Sequence, residues 1–455
     1  MKKLITVLLL GSLFIAQEIY TGHIVEDGDT LDVFSYQIPH GYTGDEPAAL
    51  LLCYHHWNGN ENSCYSTGFD EEADTRGWLF LSPNGRWGNH YHNQFSQYVT
   101  QQAIVWLQEN YNIDACRIYM VGGSMGGAGG LVYANNHLDP RLPMTTAAVS
   151  GSGILDCERR YWEMDGNNSM IERFGGTPEE VPFVYHRNSA VFFEDLEQSM
   201  HNNLQHVPLY LDFSETEAHR YHAEDLYNLL LGYNPNMWIE TEPGVSHGFG
   251  VLDEVHACDW LSQFVLIDDP DDVDVKLDEA GRAYWVGAEN QDVIDQFIRI
   301  HAQRLAPESY HISEFSNAGE IIFWWPLLPG GTITLDNDVN GNIMLSAIVD
   351  DPLYLESVTL NGAEVDWIIA DGYKITVFDY EFAPGQFAFH FRDLPLDVNG
   401  DGVWNVLDII TTLNFILGVL EPDDTELLAA DLNNDGSLNI LDVVAMVNLI
   451  IGTAE

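Results

Sequence analysis

With 455 residues, 46% of them apolar, the chain is too long for one ordinary domain and has core material for two or three. Seventy Asp and Glu stand against 17 Lys and Arg, a net charge of −53, and Lys2, Lys3, Lys276 and Lys374 are the only lysines. A surface of that sign repels nucleic acid and anionic membranes and excludes both as partners; it suits solubility in salty water, where ions screen charges beyond about 10 Å.

Met1-Lys2-Lys3 and the apolar residues 4–16 have the basic start and short apolar core of a secretory signal, too short to span a bilayer. The expected mature chain begins near Gln17 and is secreted or attached to the cell surface; no other segment reads as a membrane span. Cys53, Cys64, Cys116, Cys157 and Cys258 are an odd set with no C-x-x-C knuckle. In an oxidising compartment they admit one or two disulfides, whose pairing the spacing does not give, and Cys53 and Cys116 read equally well as buried thiols.

Residues 30–265 alternate short apolar runs with helical periodicity, which predicts an α/β unit with a mostly parallel sheet and helices on both faces. Residues 48–54 form a continuous apolar strand, 98–109 a helix, and 117–121 the next strand. There follows Gly122-Gly123-Ser124-Met125-Gly126, a G-x-S-x-G bend between strand and helix. Such an elbow exposes a nucleophilic serine and needs glycines where a Cβ would strike neighbouring backbone. Residues 146–149, 207–213 and 237–241 supply further strands, and a helix over 255–265 closes the unit.

Residues 268–274, Asp-Asp-Pro-Asp-Asp-Val-Asp, make the best linker candidate. Beyond them 292–305 reads as one helix. Residues 332–335, 343–349, 355–360, 374–378 and 386–391 then read as strands separated by Asn-Gly and Asp-Gly turns, which predicts a small β-rich domain. The expected division is 1–16 signal, 17–267 catalytic domain, 268–395 linker and β-rich middle domain, and 396–455 a terminal module.

That module is a near repeat: the twelve residues starting at Asp397 recur 34 positions later, at Asp431. A hard cation takes roughly 6 to 8 oxygens, which a calcium loop supplies from its first, third, fifth, seventh, ninth and last positions, with glycine at the sixth. Asp397, Asn399, Asp401, the Val403 carbonyl, Asn405 and Asp408 fit the first loop, and Asp431, Asn433, Asp435, the Ser437 carbonyl, Asn439 and Asp442 the second. Two structural Ca2+ ions are therefore expected. Each loop leads into one amphipathic helix, 408–417 and 442–451. This arrangement, over 396–452, resembles a type I dockerin, and the resemblance implies a cohesin-like or cell-surface partner. It departs at Val406-Leu407 and Ile440-Leu441, where dockerins often carry Ser or Thr.

A serine hydroxyl attacks only when a histidine takes its proton and a carboxylate orients that histidine. His247, in the glycine-flanked loop Gly244-Val245-Ser246-His247-Gly248-Phe249, follows the last predicted strand, where the base belongs. Asp212, Glu215 and Glu217 are candidates for the acid; Asp212 sits inside a strand. The oxyanion needs preorganised N–H donors: Met125, next to the nucleophile, and one from the loop His55-His56-Trp57-Asn58-Gly59-Asn60.

These residues, with Ile38-Pro39-His40-Gly41-Tyr42, residues 112–119 leading into the elbow, and Phe174-Gly175-Gly176-Thr177-Pro178, resemble the feruloyl esterase, acetylxylan esterase and polyhydroxybutyrate depolymerase-like branch of α/β-hydrolases. The resemblance implies an α/β-hydrolase fold and a serine carboxylic ester hydrolase that forms an acyl-enzyme without a cofactor, on acylated polysaccharide. It aligns Glu217 with the family's acid, leaving Glu215 second, and points to Trp57 as the second oxyanion donor, although His55-His56 replaces the usual His-Gly. Trp57, Trp87, Tyr91, Trp162 and Tyr185 are candidates for lining an acyl or sugar pocket. A prolyl-oligopeptidase-like peptidase, a polyester depolymerase and an inactive binding protein are the alternatives.

Overall fold

A computed structural model describes residues 18–166, 169–217, 220–244, 247–326, 330–341, 343–349, 352, 355–377, 384–391, 397–399, 405–433 and 436–452. The expected signal segment and the loop ligands Asp401, Val403 and Asp435 lie outside them. The chain falls into two compact units, Met1–Ala302 with Glu314–Gly319, and Gln303–Ser313 with Glu320–Glu455.

The largest sheet of the first unit has eight strands: β1 (Tyr20–Glu26), β2 (Asp29–Gln37), β3 (Ala48–Tyr54), β4 (Leu79–Pro83), β5 (Ile113–Gly123), β6 (Ala147–Gly151), β7 (Leu209–Ser214) and β8 (Met237–Glu242). They pair in the order β1-β2-β4-β3-β5-β6-β7-β8. β1 and β2 form an antiparallel hairpin across Asp27-Gly28, both at positive φ, and β2 pairs antiparallel with β4. From β4 onward the pairing is parallel. This strand order, with crossover helices between the parallel strands, is the α/β-hydrolase fold.

Strands covered on both faces must be apolar on both, and the central ones are. Leu50, Leu52, Ile118 and Met120 enter one core cluster, while Leu51, Cys53, Tyr119 and Val121 enter the other, all at 0–1% exposure. Each such side chain contributes roughly 1.5–3 kcal/mol of burial. The helix Gln94–Asn110 begins four residues before the expected one, because Asn93 accepts the Ser96 N–H as its cap. The five cysteines are free thiols; the buried-thiol reading holds for Cys53, whose carbonyl accepts the Cys64 Sγ–H at 3.0 Å, and not for Cys116, which is exposed.

The helix expected over 292–305 is a strand, Ile298–Ala306. Val293, Ile294, Phe297 and Ile298 mimic helical spacing, but Val293 and Ile294 are 46% and 79% exposed. Ile298, Ile300 and Ala302 alternate into the core instead, a period of two. The strands Ala318–Trp324, Met344–Ile348, Lys374–Val377 and Trp367–Ala370 pair in that order in one sheet. Ala363–Glu364, Leu355–Leu360, Gly385–Phe391, Thr332–Asn337 and Ser309–Ser316 pair in that order in another. The strands expected in this segment are present to within three residues at each end. The helices Val406–Ile416, Asp424–Ala430 and Ile440–Gly452 end the chain. Among the described residues no helix is long and apolar enough to cross a membrane.

Candidate functional site

The bend at Ser124 is set by backbone sterics. Ser124 has φ +60°, a conformation that costs a non-glycine residue roughly 1–3 kcal/mol and needs surrounding structure to hold it. That hold comes from both sides: the Ser124 N–H donates to the Gly151 carbonyl of β6 at 2.8 Å, and the Ser124 carbonyl accepts the Gly127 N–H at 3.0 Å. Two glycines let other segments close in. A Cβ on Gly123 would strike the Phe249 backbone nitrogen, so its absence admits the His247 loop. A Cβ on Gly126 would strike the Tyr54 carbonyl and lie 2.7 Å from that of His55, so its absence lets the turn abut the end of β3.

The structure brings three of the expected residues into one hydrogen-bonded chain. His247 Nε2 stands 2.6 Å from Ser124 Oγ, and His247 Nδ1 stands 2.7 Å from Glu217 Oε2. The Glu217 side chain is 7% exposed and that of His247 41%. Glu217 is fixed by its own turn: Oε1 accepts the Ser214 N–H at 3.2 Å, and its N–H donates to the Ser214 carbonyl at 3.2 Å. Asp212 is buried in β7 and bonds Tyr210 instead, while Glu215 donates its backbone N–H to the Glu242 carbonyl.

Met125 is 1% exposed, directly after Ser124, and among the described residues its N–H has no partner; the same holds for the Trp57 N–H. The loop carrying Trp57 is fastened by the buried His55, whose ring nitrogens lie 2.8 Å from the His56 carbonyl and 2.9 Å from that of Asn84. Sequence reasoning missed His92. This ring, 2% exposed, donates from Nε2 to the Met125 carbonyl at 2.8 Å, and burial pulls its pKa down to about 4.

Beside Ser124 opens a cavity of about 560 Å³ lined by Trp57, Tyr91, Ile154, Arg160, Met164 and Ser169. Trp57 Nε1 donates to Ser169 Oγ at 3.1 Å, and the Tyr91 hydroxyl lies 3.2 Å from the same oxygen. The other aromatic candidates are elsewhere: Tyr185 is fully buried, Trp162 is 50% exposed, and Trp87 lies under the Arg173 guanidinium. Arg160 and Met164 sit on a segment with no sequence signal for a pocket. Their place is set by the helix Cys157–Glu163, whose N-cap Asp156 accepts the Arg159 N–H.

In the tail the described parts of the two loops repeat the same hydrogen bonds around their last carboxylate. The fully buried Asp408 carboxylate accepts the N–H groups of Asn399 and Asn405, at 3.3 and 2.9 Å. The fully buried Asp442 accepts those of Asn433 and Asn439, at 3.3 and 2.8 Å. Asp431 Oδ2 takes the Gly436 N–H at 2.8 Å. Buried carboxylates that end an oxygen-rich loop fit a hard cation. Thr412 Oγ1 donates to Met446 Sδ at 3.3 Å, joining the two loop helices.

Residues 395–451 match the dockerin type I domain. No curated protein sequence matches the chain. Among solved structures, the chain is similar to an S-formylglutathione hydrolase from Agrobacterium tumefaciens at 12% identity and TM-score 0.42, covering 54% of this chain and 94% of that one. It is similar to an acetyl xylan esterase from Aspergillus awamori at 12% and 0.39, covering 54% and 99%. A fluorophosphonate-binding serine hydrolase of Staphylococcus aureus gives 15% and 0.40, covering 54% and 98%. At these identities and scores nothing about substrate follows from them.

Two expectations follow. Gly126→Ala forces β3 and the elbow apart, so thermal unfolding of the variant should show a loss of roughly 1–3 kcal/mol or more together with loss of turnover; native stability and rate would contradict the packing described. The folded pKa of His92 lies below its ordinary 6.5, so the stability its neutral burial carries is full above 6.5 and is lost as pH falls through about 4. A shift of that size is worth roughly 3 kcal/mol. His92→Gln, which keeps a donor, should flatten the acid-side decline in unfolding free energy; an unchanged slope would contradict this.

Proposed function

We propose that the chain is a secreted serine carboxylic ester hydrolase that cleaves feruloyl or acetyl esters of polysaccharide through an acyl-enzyme, and that its tail attaches it to a cohesin-type or cell-surface partner. The observation that carries the reading is the Glu217–His247–Ser124 chain of hydrogen bonds at a G-x-S-x-G bend.

His247 Nε2 accepts the Ser124 proton as Oγ attacks the ester carbonyl, and Glu217 holds the Nδ1–H and balances the imidazolium that forms. The oxyanion is received by the Met125 and Trp57 N–H groups. The imidazolium then gives its proton to the departing sugar oxygen, leaving an acyl group on Ser124. Water, deprotonated by the same ring, removes it. Serine, histidine and glutamate supply the nucleophile and every proton transfer, so the cycle draws on no cofactor. The cavity beside Ser124 supports an acyl group with a flat apolar face: Trp57, Tyr91, Ile154 and Met164 supply the walls, and Arg160, whose buried Nε has no partner among the described residues, supplies a donor.

In the tail each loop holds one calcium ion, which stabilises the module by binding its folded form. The first ion takes Asp397, Asn399, Asp401, Val403, Asn405 and Asp408. The second takes Asp431, Asn433, Asp435, Ser437, Asn439 and Asp442. Val406 and Leu407, and their repeats Ile440 and Leu441, are 49–60% exposed, which supports a docking face made twice over.

Methyl ferulate, acetylated xylan and a Pro-containing peptide, assayed side by side, should show turnover of at least one ester and none of the peptide; peptide cleavage alone would overturn the esterase reading. Ser124→Ala should lower kcat on a p-nitrophenyl ester by roughly four to six orders of magnitude, and Glu217→Gln by roughly two to four. Turnover left intact in Ser124→Ala would end the proposal. Calcium should protect residues 395–452 from proteolysis, and Asp408→Ala with Asp442→Ala should abolish that protection; equal digestion with calcium and with chelator would refute the two-ion module.

A further inference from the structure

Parallel register sets Asp212 of β7 opposite Glu240 of β8, and Glu242, two residues on, projects to the same face. One carboxylate oxygen from each lies within 4.8 Å of the others. Asp212 is 1% exposed; its Oδ1 is buried with no hydrogen-bond partner, and its Oδ2 meets the Tyr210 hydroxyl at 3.3 Å. That hydroxyl has a single proton and donates it over the shorter distance, 2.7 Å, to Glu240 Oε2. From the helix Glu254–Leu261 packed over this face, His256 Nε2 lies 3.8 Å from Glu240 Oε1. Among the described residues no lysine or arginine pairs with any of the three.

Three converging carboxylates, one of them inside the protein with a bare oxygen, need a compensating positive charge. Two oxygens on one calcium ion stand at most roughly 5 Å apart, and the three carboxylate oxygens lie within that limit of one another. We propose that Asp212, Glu240 and Glu242 form a calcium site in the catalytic unit, separate from the loops of the tail. The ion would tie together the ends of β7 and β8, from which the Glu217 and His247 loops spring, and the Glu215 N–H already links these ends at the Glu242 carbonyl, 3.2 Å away. In this position the three carboxylates are positioning residues; that consequence rests on the triad reading, whereas the binding of calcium does not.

The test counts calcium bound per full-length chain after equilibrium dialysis, in wild type, Asp212→Asn and Glu242→Gln. The tail is common to all three and cancels. Each variant should bind one equivalent fewer than wild type, and terbium emission excited through Tyr210 and Trp260, whose rings lie 5.8 Å apart, should fall with it. Where Asp212→Asn fails to fold, the half-buried Glu242 decides through its glutamine variant. Equal counts in wild type and Glu242→Gln overturn the site and assign the cluster to a shared proton. Saturation by magnesium with no response to calcium overturns the choice of ion. A lost equivalent should also lower kcat on a p-nitrophenyl ester more than it changes KM; a lost equivalent with unchanged kcat overturns the positioning role.

Discussion

Ser124 occupies a left-handed backbone conformation that no serine adopts without compulsion, and the catalytic unit is organised to impose it. β5 drives into the bend, β6 takes the Ser124 N–H, and the glycine-edged turn lies against the end of β3. The result is a Ser124 hydroxyl within reach of His247 and, beside it, the Met125 amide, which has no partner among the described residues. His247 and Glu217 follow β8 and β7, which pair with each other, and β6 separates β7 from the β5 strand that leads to Ser124, so all three side chains are supplied by the same end of one sheet. Parallel strands aligned in this way carry their loops to a common edge, which is where the sheet concentrates its chemistry.

The environments of the acids differ according to what surrounds them. Glu217 is nearly buried yet faces the His247 ring and accepts a backbone N–H, so its charge is matched. Asp212, a few residues earlier, is buried among carboxylates, and burial with its neighbours pushes its pKa up to about 7. Two carboxylates within one strand and its following turn thus take separate roles, set by neighbours and not by residue type. The tail follows the first pattern, with Asp408 and Asp442 each accepting two backbone N–H groups.

Local signals made the site legible in the sequence. The elbow and the calcium loops are motifs in which spacing along the chain fixes spacing in the fold, so Ser124, Asp408 and Asp442 needed no tertiary information. Glu217 and His247 followed from chain order and a resemblance, and the structure brings both to Ser124. What escaped depended on partners far away in sequence. His92 acts through the Met125 carbonyl, and Arg160 and Met164 reach the cavity through a helix that carries no motif. β1, β2 and β4 were not anticipated: β1, at the edge of the sheet, and β2 beside it mix polar and apolar residues, and β4 is a short buried run of five residues, Leu79–Pro83. Residues 292–305 misled because exposed Val293 and Ile294 completed a helical spacing that packing does not use. The spacing of the cysteines did not decide their pairing either, and in the fold the Cys64 thiol is aimed at the Cys53 carbonyl.

The central claim is that the serine at the bend is the activated nucleophile. Mass spectrometry after treatment with a fluorophosphonate measures this most directly, because the reagent is captured only by a serine whose proton is drawn away. The account predicts one adduct per chain, on the peptide containing Ser124, and none in His247→Ala. An adduct on another residue, or labelling of Ser124 that survives removal of the histidine, would contradict it.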